Sequence, residues 1–336
     1  MSGSDLLITA SPHLGAGAST PTIMWNVVAS LAPIVAAAMY FFGPSALIVV
    51  AGATAGAVVA EHFFGKKGTL ADGSAAITGI LLGLTLPAGL PIWMAFVGGA
   101  FAIAIGKLIF GGLGQNIFNP ALLGRAFLQA SFPVAMTTFP APASAGDWWR
   151  LSGDNFALPF QTPRALDAVT SATPLGRMKF EQADTSAFDL ILGTSSGSLG
   201  ETSGLLILFC GGYLALRNFL NWRIPASIFA TVAVVETLLH TLAPARFPGP
   251  LFMLFSGGLM LGAMYMATDL VTSPVTNLGS WIFGAGVAIL VLLIRLWGGL
   301  AEGVMYSILI MNALVPYLNR WTEPRVFGSR PARPVP

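Results

Sequence analysis

Long apolar runs with almost no charge inside them are the feature of this sequence that most restricts its fold. Of the 336 residues, 55% are hydrophobic and only 9% are charged, and the mean hydropathy is +0.76. Soluble domains carry about 25% charged residues, so this composition indicates an integral membrane protein. In lipid every backbone N–H and C=O must be paired within the protein, and helices meet that condition segment by segment.

Ten runs approach the roughly 20 apolar residues that a membrane-spanning helix needs. They lie at residues 23–42, 45–63, 70–87, 91–110, 117–136, 203–220, 224–243, 249–267, 280–297 and 300–318. We therefore predict an all-α integral membrane protein with about ten transmembrane helices. Several runs are short or contain Gly and Pro, and we expect these irregular helices to lie inside the bundle.

The runs fall into two groups of five around one long hydrophilic loop. An odd number of helices in each group makes the second group inverted relative to the first, as in many transporters. The predicted organisation is an N-terminal segment (1–22), a first repeat (23–137), the loop (138–202), a second repeat (203–318) and a C-terminal tail (319–336).

Lys and Arg near the ends of short loops predict the orientation, because cytoplasmic loops are enriched in them. With a cytoplasmic N-terminus, nine such residues face the cytoplasm and two, Arg246 and Arg295, lie at outer ends. The nine are Lys66, Lys67, Lys107, Arg217, Arg223, Arg320, Arg325, Arg330 and Arg333. We expect both termini on the cytoplasmic side of a bacterial inner membrane and the 138–202 loop outside.

The residues that hold common redox cofactors are nearly absent. Cys210 is the only cysteine, which excludes Cys-ligated iron–sulfur clusters and Cys-x-x-Cys-His haem attachment within this chain. His62 and His240 are predicted at opposite membrane faces, so one haem cannot join them. No ATP-binding or complete dinucleotide-binding glycine motif occurs, and a net charge of +2 predicts no nucleic-acid partner. We therefore expect this chain itself to hold no nicotinamide, ATP or iron–sulfur site.

One stretch of the outer loop has a pattern that predicts chemistry. Residues 167–173 read Asp-x-x-Thr-small-Ala-Thr, which resembles the site where flavin transferases attach FMN to a threonine hydroxyl through a phosphoester. The predicted attachment point is Thr173. The other residues of the motif are Asp167, Thr170, Ser171 and Ala172. An ordinary Ser/Thr-rich turn is the alternative interpretation.

Local chemistry and topology agree with the flavin interpretation. Small side chains at Ser171 and Ala172 let another enzyme approach the backbone, Pro174 prevents a helix from crossing the site, and Asp167 offers the transferase a charge. Free FMN would be lost from an outer compartment, whereas a covalent tether retains it and leaves its ring free to carry electrons.

Five stretches in the same order carry a resemblance to one family. They are Ser11-Pro12-His13 with Ser19-Thr20; Asp72 to Ala75 with Leu84 to Pro87; Gly111 to Pro120 with Gly124 to Phe127; Asp167 to Leu175; and Ala267 to Pro274 with Glu302 to Tyr306. The chain resembles the RnfD family of the Rnf electron-transport complex and, more distantly, the NqrB component of the sodium-pumping NADH:quinone oxidoreductase. It departs from the family at Ser171, where glycine is usual.

The resemblance implies a redox subunit with a fold like that of urea transporters. Its implied function is electron transfer within a complex that links ferredoxin and NAD chemistry to movement of Na⁺ or H⁺. It implies covalent FMN on Thr173, a second, non-covalent riboflavin, and as partners the other Rnf subunits, membrane lipid and a flavin transferase during maturation. A small-polar-solute transporter or channel is the competing class, because fold does not determine function. A structural scaffold with a vestigial motif is a third interpretation.

Polar residues inside the predicted spans are further candidates for cofactor binding, because burying them in lipid is costly. The guanidinium of Arg125 suits a flavin phosphate or a buried carboxylate, and a purely structural ion pair is an equal alternative. Asn116 and Asn119 are expected either to bind the edges of a flavin or to cap and bridge helices.

Three acids near the predicted membrane borders are candidates for an ion pathway. They are Asp72, Asp269 and Glu302. An acid at such a border can take up a proton or a cation, and the resemblance links acids at these places to ion uptake. Helix capping is the alternative for Asp72 and Glu302. Asp269 is the stronger candidate, because Pro274 breaks its segment.

Overall fold

Helices form the regular secondary structure of the described residues. The computed structural model describes residues 19–66, 68–140, 142, 149, 151, 155–159, 173–181, 186–193, 196–201, 203–244 and 246–324. The motif residues Asp167, Thr170, Ser171 and Ala172 therefore lie outside the described residues, whereas Thr173 lies within them. Lys67, Arg325, Arg330, Arg333 and the Ser11-Pro12-His13 stretch also lie outside them.

The helices follow one another from the N-terminal to the C-terminal part of the described chain. They are α1 (Thr20–Phe42), α2 (Pro44–Phe64), α3 (Ser74–Leu84), α4 (Ile92–Ile103), α5 (Pro120–Ser131), α6 (Pro133–Thr137), α7 (Pro174–Gly176), α8 (Ala187–Leu192), α9 (Gly204–Leu216), α10 (Arg223–Leu242), α11 (Pro250–Phe255), α12 (Leu259–Leu261), α13 (Asn277–Trp297) and α14 (Val304–Trp321). A 3₁₀ turn (Thr69–Asp72) precedes α3. Segments of π-helix extend α4 (Ala104–Leu108), α7 (Arg177–Glu181) and α12 (Gly262–Met266).

Four helices of the described chain, α1, α2, α10 and α13, are long and apolar enough to cross a membrane. Shorter apolar helices occupy Ser74–Leu84, Ile92–Leu108 and Gly204–Leu216. Each predicted run contains helix, but several runs are interrupted, so the count of ten spans stays a prediction. The interrupted segment Gly262–Met266 is buried at every residue, which is where irregular backbone is tolerated in a membrane protein.

Glycines allow the long helices to pack with their backbones in contact. A Cβ atom added at Gly56 of α2 would overlap the Phe96 carbonyl of α4, and one at Gly99 of α4 would overlap the Ala53 carbonyl of α2. In the second half, a Cβ at Gly284 of α13 would lie 2.7 Å from the Ile224 carbonyl oxygen of α10. Small residues at such crossings favour helix association in lipid, where no hydrophobic effect drives it.

Helix α3 ends inside the fold, and a distant loop bonds to the carbonyl groups near its end. The Leu84 oxygen accepts a hydrogen bond from the Gly200 amide (2.5 Å), and the Leu86 oxygen accepts one from the Leu199 amide (3.1 Å). Carbonyls at a helix end have no partner within the helix, and inside a membrane protein they must find one. The segment before α9 supplies it.

A second loop residue, Asn155, pairs the backbone between α3 and α4. Its Nδ2 donates to the Ala88 oxygen (2.9 Å) and the Leu90 oxygen (3.0 Å), and its own carbonyl accepts from the Ile92 amide (2.9 Å). The side chain is 1% exposed. Parts of the hydrophilic loop therefore enter the helix bundle.

Contacts between helix ends define two faces of the molecule. The Tyr213 hydroxyl donates to Asn26 Oδ1 (2.8 Å), which joins the end of α9 to the start of α1. Asn221 Nδ2 donates to Ser280 Oγ (2.9 Å), which places the start of α10 beside that of α13. We call this side, which contains Asn26 and Asn221, the first face. The second face is the opposite side, where Lys179 Nζ donates to the Ile294 and Leu300 carbonyls around the end of α13.

Two basic residues that entered the orientation prediction as loop-end charges are inside the fold. Lys107 is 2% exposed and Arg295 is 1% exposed. Neither is a loop charge in contact with a membrane surface, so both leave the count. Without these two residues, eight Lys and Arg residues remain on the predicted cytoplasmic side and one remains on the outer side, which favours the same orientation.

Replacing Gly99 with alanine is expected to destabilise the protein. Overpacking of a core typically costs about 1–3 kcal/mol, and here the obstacle is backbone rather than a flexible side chain. The measurement is thermal unfolding of the detergent-solubilised chain. The control is Gly212→Ala in α9, where an added Cβ meets nothing within 4 Å. The control should melt with the wild type, and equal melting temperatures for both variants would contradict the packing account.

Candidate functional site

Two cavities, one at each face, contain most of the predicted site residues. The first cavity, of about 90 Å³, opens between the start of α1 and the end of α9. Its polar lining consists of Ser74, Thr78, Lys107, Asn116, Asn119, Tyr265, Thr268 and Asp269. The second cavity, of about 110 Å³, is lined in part by the loop between α13 and α14. Its polar lining consists of Arg125, Gln129, Thr137, Thr173, Glu201, Glu302 and Tyr306.

Thr173 lies at the edge of the second cavity as the cap of a short helix. Its Oγ1 accepts a hydrogen bond from the Gly176 amide (3.1 Å), and its carbonyl accepts one from the Arg177 amide (2.8 Å). Pro174 follows at the first helical position, where its fixed φ is favourable. The hydroxyl oxygen acts only as an acceptor in this cap. Conversion of the O–H to a phosphoester would therefore leave the capping bond in place.

Arg125 and Glu302 form an ion pair in the same cavity. Arg125 Nη2 lies 2.6 Å from Glu302 Oε2, and the side chains are 11% and 22% exposed. Glu302 Oε1 accepts from the Gly258 amide (2.6 Å). The sequence left open whether Arg125 would meet a phosphate or a carboxylate, and the structure shows a carboxylate. A guanidinium has five N–H donors and this pair uses one, so donors remain for a second anion.

A second carboxyl group, Glu201, lines this cavity, and sequence analysis did not identify it. Ser198 Oγ donates to Glu201 Oε1 (2.6 Å). Glu201 lies in the loop before α9, and Glu302 lies in the loop before α14. Burial raises the pKa of Glu201, and the neighbouring Glu302 carboxylate raises it further, to about 7. Burial also acts on Glu302, but Arg125 and Arg295 hold the pKa of Glu302 below its ordinary value.

Arg295 lies behind the second cavity and pairs the end of the broken helix α11. Its Nη1 donates to the Met253 carbonyl (2.8 Å), and its Nη2 donates to the Ser256 carbonyl (2.9 Å). Glu236 of α10 is fully buried, and within the described residues neither of its carboxyl oxygens has a hydrogen-bond partner. This region therefore contains two charged residues, Arg295 and Glu236, that sequence analysis did not propose for a site.

In the first cavity, Asn119 has a structural function. Its Oδ1 caps α5 by accepting from the Ala121 amide (3.0 Å) and the Leu122 amide (3.3 Å), while its Nδ2 donates to the Met266 carbonyl (3.1 Å). This is the cap-and-bridge alternative for that residue. Asn116 donates to the nearby Phe118 carbonyl (3.3 Å), and its side chain also hydrogen-bonds to the Asp269 carboxylate.

A buried charged chain adjoins the first cavity. Lys107 Nζ lies 2.6 Å from Glu61 Oε1 and donates to Ser74 Oγ (2.6 Å). The Ser74 hydroxyl donates in turn to Asp72 Oδ1 (2.5 Å), and Asp72 also accepts from the Ser74 amide (2.8 Å). Asp72 thus accepts from the first amide of α3, beside the N-cap residue Gly73, and it is linked to Lys107 through Ser74.

Asp269 lies in the first cavity, within the turn that precedes α13. Its Oδ1 accepts from the Val271 amide (3.4 Å), and its Oδ2 accepts from the Thr272 hydroxyl (3.1 Å). Both bonds are local to the broken segment before Pro274. Its neighbour across the cavity is Asn116, from the opposite half of the chain.

The structure separates the predicted site residues into two groups. Thr173, Arg125 and Glu302 meet at the second cavity, whereas Asn116, Asn119 and Asp269 meet at the first. The residues that sequence analysis did not propose for a site are Glu61, Lys107, Glu201, Glu236 and Arg295. Four of these five lie in apolar helices, and the cost of burying an ionisable group in a membrane is the signal that identifies them.

Comparison with known proteins gives a consistent result across the chain. The model of the family described as NQR2, RnfD, RnfE matches residues 7–328. The D component of a proton-translocating ferredoxin:NAD⁺ oxidoreductase complex from Clostridium ljungdahlii is 41% identical over 96% of both chains. The D component of a Na⁺-translocating ferredoxin:NAD⁺ oxidoreductase complex from Acetobacterium woodii is 40% identical over 96% of both. The D component of an ion-translocating oxidoreductase complex from Stutzerimonas stutzeri is 40% identical, over 95% of this chain and 94% of that one.

We expect Asn119→Ala to lower the thermal stability of the protein more than Asn116→Ala does. The first change removes a helix cap, worth about 1 kcal/mol, together with the bridge to Met266. The second removes a bond to the nearby Phe118 carbonyl and a bond to the Asp269 carboxylate, but no helix cap. Thermal unfolding of the two purified variants gives the comparison. An equal loss in both would contradict the assignment of Asn119 as the structural asparagine.

Breaking the buried Lys107–Glu61 pair should be more harmful than removing it entirely. Lys107→Met leaves an uncompensated buried carboxylate, and breaking such a pair typically costs about 3–5 kcal/mol. The double variant Glu61→Gln with Lys107→Met removes both charges and should recover part of the melting temperature. Unfolding of wild type, single and double variants completes the cycle. A double variant less stable than Lys107→Met would show that the pair does not act as a unit.

Proposed function

Because the chain belongs to the NQR2, RnfD, RnfE family, we propose that it is the membrane subunit of an ion-translocating ferredoxin:NAD⁺ oxidoreductase complex and carries FMN esterified to Thr173. Electrons pass through its flavins, and their passage is coupled to movement of Na⁺ or H⁺. Ferredoxin and NAD react on partner subunits, not on this chain. Named relatives at 41% and 40% identity are proton- and Na⁺-translocating, so identity does not select the ion.

The observation that carries the proposal is the position of Thr173 on a cavity that also contains Arg125. The Thr173 hydroxyl, which caps α7, lines this cavity. The N–H groups of Arg125 that the ion pair does not use suit an anionic phosphate or the carbonyl edge of a flavin. Apolar and aromatic walls for the ring come from Met136, Phe139, Leu175, Met305 and Tyr306. FMN, when bound, accepts and donates electrons. The residues present therefore fit the group.

The first cavity is the proposed place for the non-covalent riboflavin. Its walls are mainly apolar, with Val27, Leu81 and Phe219 among them, and Asn116 provides an amide group. Ligand pockets commonly combine apolar walls with a few polar groups that orient the ligand. Asn119 is occupied by capping and bridging, so Asn116 is the better candidate of the two for contact with a flavin.

The inverted-repeat architecture and the orientation belong to the same proposal. Helix α2 packs on α4 in the first half as α10 packs on α13 in the second, and α4 contacts α5 as α13 contacts α14. This parallel supports two repeats of five helices. We place the first face and both termini on the cytoplasmic side of a bacterial inner membrane, with Thr173 on the outer side. The other Rnf subunits, lipid and, during maturation, a flavin transferase are the proposed partners.

The proposed ion pathway has acids at both faces. Asp269 lines the first cavity and Asp72 adjoins it through Ser74, whereas Glu302 lines the second. Ion uptake and release would then use separate groups. The solute-transporter alternative has no counterpart in the names of these three relatives, which are all components of oxidoreductase complexes.

In-gel flavin fluorescence of the denatured protein tests the proposed function. The chain is expressed with a flavin transferase as wild type and as Thr173→Ala. We expect fluorescence that survives denaturation in the wild type and is lost completely in the variant, because only a covalent bond survives unfolding. No fluorescence in either would remove covalent FMN from the proposal.

The control for this test is Thr137→Ala. Thr137 is another threonine on the same cavity, and its hydroxyl donates to the Pro133 carbonyl (2.9 Å). This control should keep full fluorescence. Loss of fluorescence in both variants would point to disturbance of the cavity rather than loss of the attachment point.

A further inference from the structure

The second cavity contains a carboxyl group without a cation of its own. Arg125 is paired with Glu302 at 2.6 Å. Glu201 lines the same cavity, and its recorded partner is the neutral hydroxyl of Ser198, with no Lys, Arg or His nitrogen within 4.0 Å among the described residues. A carboxylate in that position has its charge only weakly compensated.

The charges around Glu201 come from several elements. Arg125 faces it from α5, Glu302 from the loop before α14, and Arg295 from α13. Glu236 of α10 is the next carboxyl group, on the other side of Arg295. His240, one turn further along α10, bonds through Nδ1 to the Phe247 carbonyl (2.8 Å). Two guanidinium groups therefore stand among three carboxyl groups.

One of the three carboxyl groups can exchange with water without being held by a guanidinium. Glu302 is fixed by Arg125 and by the Gly258 amide. Glu236 is 0% exposed, so it has no direct access to water. Glu201 is only partly buried and faces the cavity. Of these three carboxyl groups, Glu201 is therefore the one that can exchange a proton with water.

The backbone beside Glu201 is firmly held. The Gly200 amide bonds to the Leu84 carbonyl, and a Cβ at Gly200 would lie 2.6 Å from a Leu261 methyl. The Glu201 amide itself bonds to the Ser198 carbonyl (2.9 Å). The backbone therefore keeps the Glu201 side chain at this cavity, where its carboxyl group can respond to a change of charge by binding or releasing a proton.

We propose that Glu201 is the proton-exchanging group of the second cavity: it binds a proton when negative charge is placed beside Thr173 and releases it when that charge leaves. The coupling to a flavin rests on the proposed function, whereas the proton exchange of Glu201 does not. Glu201 is partly protonated near neutral pH, since its pKa is about 7. It can therefore move a proton in either direction under cellular conditions.

The charge balance involves one electron and one proton. A one-electron donor, such as an iron–sulfur centre of a partner, is oxidised, and the flavin held on Thr173 would be the group that is reduced by that electron. A proton from water at the second face forms an O–H bond on Glu201, which becomes neutral. When the electron leaves, that O–H bond breaks and the proton returns to the water. Negative charge in the cavity strengthens proton binding, because like charges disfavour the carboxylate.

The first test needs no flavin. The full chain carrying Thr173→Ala is titrated by infrared spectroscopy, with and without Glu201→Gln. We expect a carboxylic C=O band that grows as the pH falls through about 7 and is clearly weaker in the Glu201→Gln chain, where only other buried carboxyl groups such as Glu236 can contribute to it. The matched control is Glu181→Gln, whose carboxylate is 59% exposed and should not contribute to this band. A band that persists unchanged in Glu201→Gln would overturn the proposal.

A second variant keeps the first test decisive if Glu201→Gln does not fold. Ser198→Ala removes the hydroxyl that stabilises the Glu201 carboxylate. The titration should therefore move to higher pH in this variant, because the charged form has lost a hydrogen bond. A titration that stays in place would count against Glu201 as its origin.

The second test measures the reduction potential of the Thr173-linked flavin against pH, with the assembled complex on an electrode. Glutamine imitates the protonated acid, so in Glu201→Gln the flavin should be reduced more easily than in wild type above pH 7. The two potentials should converge at acidic pH, where wild-type Glu201 is protonated. Parallel curves at all pH values would overturn the coupling.

The two proposals fail in distinguishable ways. Flavin fluorescence that survives in Thr173→Ala contradicts the attachment point, while the infrared band still reports on Glu201. A missing band with normal Thr173-dependent fluorescence contradicts Glu201 alone.

Discussion

The requirement that every polar group inside a membrane protein be paired controls this structure. Helix α3 ends in the interior, and its end is stable there because amides of Leu199 and Gly200 bond to the carbonyls of Leu84 and Leu86. Arg295 does the same for α11 with its guanidinium. An unsatisfied carbonyl in such surroundings costs several kcal/mol, so these distant segments are as necessary to the broken helices as their own residues are.

The same requirement explains which features could be predicted from sequence. Apolar runs locate the helices, since length and hydropathy are local properties, and all ten runs contain helix. Local chemistry also explains why no helix crosses Thr173, as expected from Pro174: the helix begins at this proline and Thr173 caps it. The partner of Arg125 could not be predicted in this way. Glu302 is 177 residues away, and only the fold brings the two together.

Whether a charged residue is buried or exposed was the property that the sequence predicted least well. Lys107 and Arg295 stand near helix ends in the sequence, as loop charges do, yet both are buried. A hydropathy profile cannot distinguish a basic residue that reaches water from one that turns inward to a carboxylate or a carbonyl. Sequence analysis did not identify Glu201 for a related reason, because it lies in a hydrophilic segment where an acidic residue is common. Its proximity to Glu302 arises only when the loop before α9, the loop before α14 and helix α5 meet in the fold.

The insertion of loop residues into the first half has a consequence for how the chain is assembled. Residues 199 and 200 leave the ribosome more than a hundred positions after Leu84, and until then the carbonyls at the end of α3 lack their final partners. The first five predicted helices can therefore enter the membrane early but cannot reach their finished packing. Folding of the first half is therefore complete only when the segment that leads into the second half has packed against it.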